Sequence, residues 1–141
     1  MAFYKKTTKK ILSEHDGIVY ILILEIGGET VYKIGVTQRN IEERVVEILT
    51  SFWRKYRYFP RCETKRFKST TDIFSKEAAL HYHFDKVRYT PEHKTDGSNE
   101  FFQIEDLEYL LDVYSRCLGG EDIRKLEQYV KEGSDVLSEE D

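Results

Sequence analysis

The feature that most constrains this chain is the run Ile18-Val19-Tyr20-Ile21-Leu22-Ile23-Leu24, apolar on both sides of an extended backbone and rich in β-branched residues. A run this short and this branched reads as an interior strand. Gly27-Gly28 follows within Glu25 to Thr30, a hairpin signal, and Val31-Tyr32-Lys33-Ile34-Gly35-Val36 supplies the return strand. The chain therefore opens on an antiparallel hairpin.

The elements after the hairpin alternate. Asn40 with Glu43 three residues on forms a capping box, and Ile41, Val45, Ile48, Leu49 and Phe52 recur at one-face helical spacing. From Arg54 to Lys68 aromatic and basic residues interleave, and this stretch reads as a third strand near an edge, because Pro60 cannot donate to a ladder. A second helix is expected from Thr71 to Val87, a loop from Tyr89 to Ser98, and short strand character from Asn99 to Ile104. Leu107, Leu110, Leu111, Tyr114 and Leu118 mark a third helix that stops at Gly119-Gly120, and Asp122 to Glu132 suggests a last one. The expected fold class is α+β: a central three-stranded antiparallel sheet flanked by helices. Residues 1–16 form a polar, basic leader, 17–104 the domain, and 105–141 an acidic helical extension.

Composition narrows the function classes. Cys62 and Cys117 lie far apart without a CxxC pair, so neither a thiolate zinc site of usual spacing nor a disulfide framework is expected. His81-Tyr82-His83 would set two rings about 200° apart on a helix, a poor arrangement for sharing one metal ion. The longest apolar run is too short to span a bilayer and no signal peptide stands at the start, so a soluble, cytoplasmic protein without a membrane partner is expected. Net charge is −4, but residues 1–102 hold 18 Lys or Arg against 14 Asp or Glu, while residues 103–141 hold 4 against 12. The first part is thus able to present a basic face to phosphates; the acidic end is not, and suits a protein partner instead.

Three positions resist a purely structural reading. Tyr20 is the one polar side chain in an apolar strand; a buried tyrosine with a bonded hydroxyl would explain it. Arg44 borders the apolar stripe of the first helix, where a snorkelling arginine is the ordinary explanation. Glu77 occupies a slot in the stripe Ile73, Glu77, Leu80, Phe84, Val87. Burying an unpaired carboxylate costs several kcal/mol. Glu77 must therefore pair with Arg44 or Lys33, hold a metal ion, or sit where the stripe opens into a cleft.

Ile18-Val19-Tyr20, then Tyr32-Lys33-Ile34-Gly35, a helix bearing Arg44 and a later helix bearing Glu77 together resemble the GIY-YIG nuclease superfamily. The spacing from Glu77 through His81 to Phe84, with Glu100-Phe101-Phe102 after it, is similar to the branch containing phage-type orf172 DNA-binding domains and their meiotically up-regulated relatives. The resemblance covers about residues 17–104. It implies a divalent-metal-dependent endonuclease acting on DNA, with RNA as the alternative backbone. Tyr20 would orient or deprotonate a water, Arg44 balance charge on the phosphate, and Glu77 hold one Mg²⁺ or Mn²⁺. Lys33 stands where the usual second motif has tyrosine, as is common in that branch, and would bind phosphate or assist proton transfer. His81 would sit beside the metal site, and Asn99 is the candidate for the assisting asparagine of some members. Glu100 would cap, bind a neighbour or close the sheet. Phosphate contacts fall to Arg39, Arg54, Lys55, Arg57, Arg61, Lys65 and Arg66. A homodimer would give each strand of a duplex its own active site. The alternatives are a binding module with little catalysis on the same fold, or an interaction protein docking through its acidic helices.

Overall fold

A computed structural model describes residues 15–89 and 100–131. The hairpin forms as its sequence dictates: β1 (Gly17–Ile26) pairs antiparallel with β2 (Glu29–Thr37), Ile26 opposite Glu29. Gly27 and Gly28 between them take φ of 59° and 83°, the doubly left-handed turn whose twist matches the flanking strands and which side chains with a Cβ resist. β1 also pairs with β3 (Arg61–Thr70), so the apolar run is interior, and β3 is the edge on that side.

Among the described residues the sheet has four strands in the order β3-β1-β2-β4, one more than the three expected. The addition, β4 (Phe101–Phe102), is only two residues long and pairs with Tyr32 and Lys33. Its brevity leaves the outer edge of β2 beyond Lys33 without a strand partner among the described residues, and the site is built at that edge.

Side chains alternate across the hairpin and divide the interior into two layers. Tyr20, Leu22 and Leu24 meet Ile48 and Phe52 of α1 (Ile41–Tyr56). Val19, Ile21 and Ile34 meet Leu80 and Phe84 of α2 (Ile73–His83), with Leu110, Val113 and Tyr114 of α3 (Leu107–Leu118). The Tyr114 hydroxyl donates to the Val19 carbonyl at 2.6 Å, fixing α3 to the central strand. The third helix thus contributes core residues to the same interior as the hairpin.

Helix ends follow local chemistry. Asn40 Oδ1 accepts from the Glu43 amide at 2.9 Å, as the capping box requires. α1 continues to Tyr56, so Arg54 and Lys55 belong to its last turn and the strand begins only at Arg61. Aromatic–basic alternation resembled a strand there because the final helical turn and the following loop are both exposed. α2 ends at His83, short of Val87: the chain tightens into a 3₁₀ turn at Asp85–Val87, with the Val87 amide donating to Phe84 O. That turn brings Tyr89 alongside Phe101, whose carbonyl accepts the Tyr89 amide at 2.8 Å. The last expected helix is a single 3₁₀ turn, Ile123–Lys125. Beyond it Leu126 and Tyr129 pack on the core, and the Tyr129 amide donates to His83 O at 2.9 Å. These long-range contacts replace the helix its spacing suggested. Residues 1–14 of the basic leader, residues 90–99 with Asn99 among them, and the acidic end beyond residue 131 lie outside the described residues.

Candidate active site

Strand alternation carries Tyr20, Lys33 and Gly35 to the face beneath α1, with Tyr20 opposite Gly35 and Lys33 opposite Leu22 in register. Arg44, in the first turns of α1, stands over that end of the hairpin, and its Nε donates to the Tyr20 hydroxyl at 3.2 Å. The polar interruption of the apolar strand is therefore a fully buried tyrosine whose oxygen is bonded. Arg44 Nη1 donates to Glu47 at 3.1 Å, and Glu47 also accepts from Arg39 Nη2 at 2.8 Å.

Glu77 and His81 arrive from the other layer, on α2, where the uncovered edge of β2 admits them. The Ile34 carbonyl, which no strand among the described residues pairs, accepts a hydrogen bond from His81 Nε2 at 2.7 Å. A carbonyl only accepts, so this nitrogen carries the proton, and burial holds the imidazole below its ordinary pKa. His81 is thus a neutral ring closing the sheet edge, with Nε2 3.8 Å from Glu77 Oε2.

Glu100, immediately before β4, brings a second carboxylate. It accepts from the Lys33 ammonium in a close ion pair. Lys33 is wholly buried, its Nζ 5.6 Å from the centre of the Tyr20 ring and 5.9 Å from that of Phe101. Pairing and two aromatic faces together offset the cost of burying the ammonium. Lys33 is thereby committed to Glu100, and Glu77 has neither Lys33 nor Arg44 as an ion-pair partner. Instead burial, then the charge and hydrogen bonding of nearby Glu100, push the Glu77 carboxyl up to about 7, against the milder pull of Lys33 and Arg44. Glu77 Oε2 is buried and meets no donor among the described residues.

Gly35 makes this convergence possible. A Cβ there would sit 2.5 Å from the Tyr20 hydroxyl oxygen and 2.8 Å from Glu100 Oε1, closer than any real contact. The glycine of the second motif is a space requirement of the site.

Tyr20, Lys33, Arg44, Glu77 and His81 thus come together, with Glu100 as a sixth member, for which the sequence left capping, binding a neighbour and closing the sheet open. The signal that would have found it was Lys33: a lysine on the inner face of a strand needs an acid, and Glu100 opens the motif that pairs with that strand. The basic residues disperse. Arg39 lies by the site; Arg54, Lys55 and Arg57 cluster at the far end of α1 with Arg61; Lys65 and Arg66 lie along the edge strand. Among the described residues no group of three or more His, Cys, Asp and Glu is placed to hold a metal ion, and no helix is long and apolar enough to cross a membrane.

An α+β scaffold that gathers tyrosine, arginine and two carboxylates at a sheet edge has the make-up of a nuclease-like or nucleic-acid-binding module. Residues 17–118 match the T5orf172 domain model, more than two thirds of the 141-residue chain. The chain belongs to the T5orf172 domain family, nuclease-like or DNA-binding in general character. Neither curated proteins nor solved structures give a match.

Proposed function

We propose that this chain is an endonuclease of GIY-YIG type that hydrolyses phosphodiester bonds in DNA with one divalent cation at Glu77. The observation that carries this reading is the orphaned Glu77 Oε2, buried beside Glu100 and within the cluster of Tyr20 and Arg44. A buried oxygen without a donor costs about 1–3 kcal/mol, and a hard cation is the partner a carboxylate oxygen accepts best.

Charge balance supports the same reading. Glu47, Glu77 and Glu100 stand against Arg39, Lys33 and Arg44. The sum is near zero, so an arriving phosphate needs a further positive charge. Glu77 would hold Mg²⁺ or Mn²⁺, which would supply that charge and Lewis-acid polarisation of a phosphoryl oxygen. With few protein ligands gathered, substrate phosphate and waters would have to complete the shell, and metal affinity without DNA would be weak.

The chain's own residues do the rest. Arg44 Nη2, free of hydrogen bonds among the described residues, is the nitrogen available to a phosphate oxygen. Nε of the same side chain donates to the Tyr20 oxygen; in the tyrosinate form, whose charge that bond stabilises, Tyr20 takes the proton of the attacking water and becomes the neutral phenol. Glu47 holds the guanidinium in place. His81 fixes α2, and with it Glu77, against β2.

One observation favours a second reading, a binding module with little catalysis: Lys33, in the place of the second-motif tyrosine, is buried on Glu100 and is no longer offered to substrate. Incubation with supercoiled plasmid and Mg²⁺ or Mn²⁺ separates the two. Cleavage is expected from the native chain, falling about a hundredfold or more in Arg44→Ala and Glu77→Ala. Salt-sensitive DNA binding without cleavage would overturn hydrolysis and leave the module. Neither binding nor cleavage would leave docking through the acidic helical end.

A further inference from the structure

Tyr56 lies twelve residues beyond Arg44 on α1, about 18 Å along the helix axis. There the hairpin turn at Gly27 and Gly28 faces a cleft walled by Tyr56, Tyr58, Phe59 and Tyr89, with Arg61 at its mouth. Beside it the Trp53 ring stacks on Phe59, centroids 5.2 Å apart and planes within 14°. Phe59 is 60% exposed and Trp53 41%. Two large rings stacked in solvent at a cleft rim are an unusual use of apolar surface, which a folded chain ordinarily covers.

The backbone is built to present them. Arg57 caps α1 in the left-handed conformation, φ 62°, with its amide donating to Trp53 O at 2.9 Å. A left-handed non-glycine residue costs about 1–2 kcal/mol, and such strain gathers at functional positions. The reversal it creates brings Phe59 back over Trp53.

Charge selects the occupant. Arg54, Lys55, Arg57 and Arg61 are all exposed at this end of the helix and the strand after it; Glu25 in the cleft wall and Glu29, whose charge reaches Tyr89, are two acids set against these four cations. Cations beside open ring faces match a strand carrying phosphates on one side and flat bases on the other. A duplex hides its base faces, so only unpaired nucleotides use such a platform.

We propose that this aromatic cleft binds unpaired nucleotides by stacking on Phe59, Trp53 and Tyr58, with Arg57 and Arg61 on the phosphates. It lies about five duplex steps from the charged cluster, so the preferred ligand joins a duplex to a single-stranded segment. The proposal rests on the nucleic-acid reading of the chain and is independent of cleavage.

Trp53 is the sole tryptophan, so its emission reports on this cleft alone. The full chain is titrated with oligothymidylate, a blunt duplex and a duplex bearing a single-stranded tail, and affinities are followed by anisotropy of the labelled nucleic acids. Oligothymidylate and the tailed duplex should quench Trp53. Phe59→Ala should weaken both about tenfold while leaving the blunt duplex unchanged. Blunt-duplex binding with no quenching by the single strand, or equal affinities for Phe59→Ala, overturns the cleft and spares the nucleic-acid reading. Quenching by a proline-rich peptide and by no oligonucleotide assigns the cleft to peptides and also overturns it. Absence of binding to every nucleic acid removes both.

Discussion

The two ends of α1 use their side chains in opposite ways. At the N-terminal end, polar groups are buried and committed: Tyr20 to Arg44, Lys33 to Glu100, His81 to the Ile34 carbonyl. At the C-terminal end, apolar rings stand in solvent, with Trp53 against Phe59 and four exposed basic residues around them. Each end inverts the rule that apolar groups go inside and charges outside. The first inversion is costly unless every charge is paired, and the second costs little in stability because nothing buried depends on it. Substitutions at the two ends should therefore differ in kind.

The largest effect is expected at Lys33. Lys33→Met removes the ammonium and leaves Glu100 facing Glu77, two carboxylates with only the milder pull of Arg44 on them. Breaking a buried pair costs about 3–5 kcal/mol, and partial exposure of Glu100 places the loss near 3. Urea unfolding measures it; a loss below about 1 kcal/mol would mean the pair is worth no more than a surface contact.

A smaller effect concerns pH. The folded Glu77 carboxyl titrates at about 7, above the ordinary 4.5. The folded state therefore binds more protons between these values, and the stability Glu77 contributes is complete below about 4.5 and lost as pH rises through about 7. In EDTA, the unfolding midpoint should fall over that interval. Glu77→Gln should flatten the fall, and a native profile that is flat from 4.5 to 7 would refute the assignment.

The smallest effect is at the other end. Phe59→Ala should change stability by about 0.5 kcal/mol or less in the same urea measurement, since its ring is mostly exposed. A loss above about 1.5 kcal/mol would show that the stacked pair is structural and erase the contrast.

Much of this was legible in the chain. The hairpin, its turn glycines and the Asn40 cap follow from local rules, and the Glu77 anomaly was visible because one charged residue broke an otherwise apolar stripe. Less legible were the ends of elements set by distant partners. α2 stops at His83 because the next turn must bring Tyr89 to Phe101, and Leu126 to Tyr129 leave the helix to pack on the core. The role of Glu100 was left open for a related reason: which neighbour it binds depends on Lys33, 67 residues away.

By itself the sequence determined the hairpin and the middles of the three helices, which of their faces are apolar, and that Tyr20, Arg44 and Glu77 are out of place in them. Those properties depend on neighbours within one helical turn or one strand. Tertiary structure decided which charge answers which. A two-residue β4 leaves the edge of β2 open, so α2 delivers Glu77 there while Lys33 turns to Glu100. Partner choice among buried charges depends on distances of a few ångströms between segments far apart in the chain, because electrostatic energy varies steeply with separation where water is excluded.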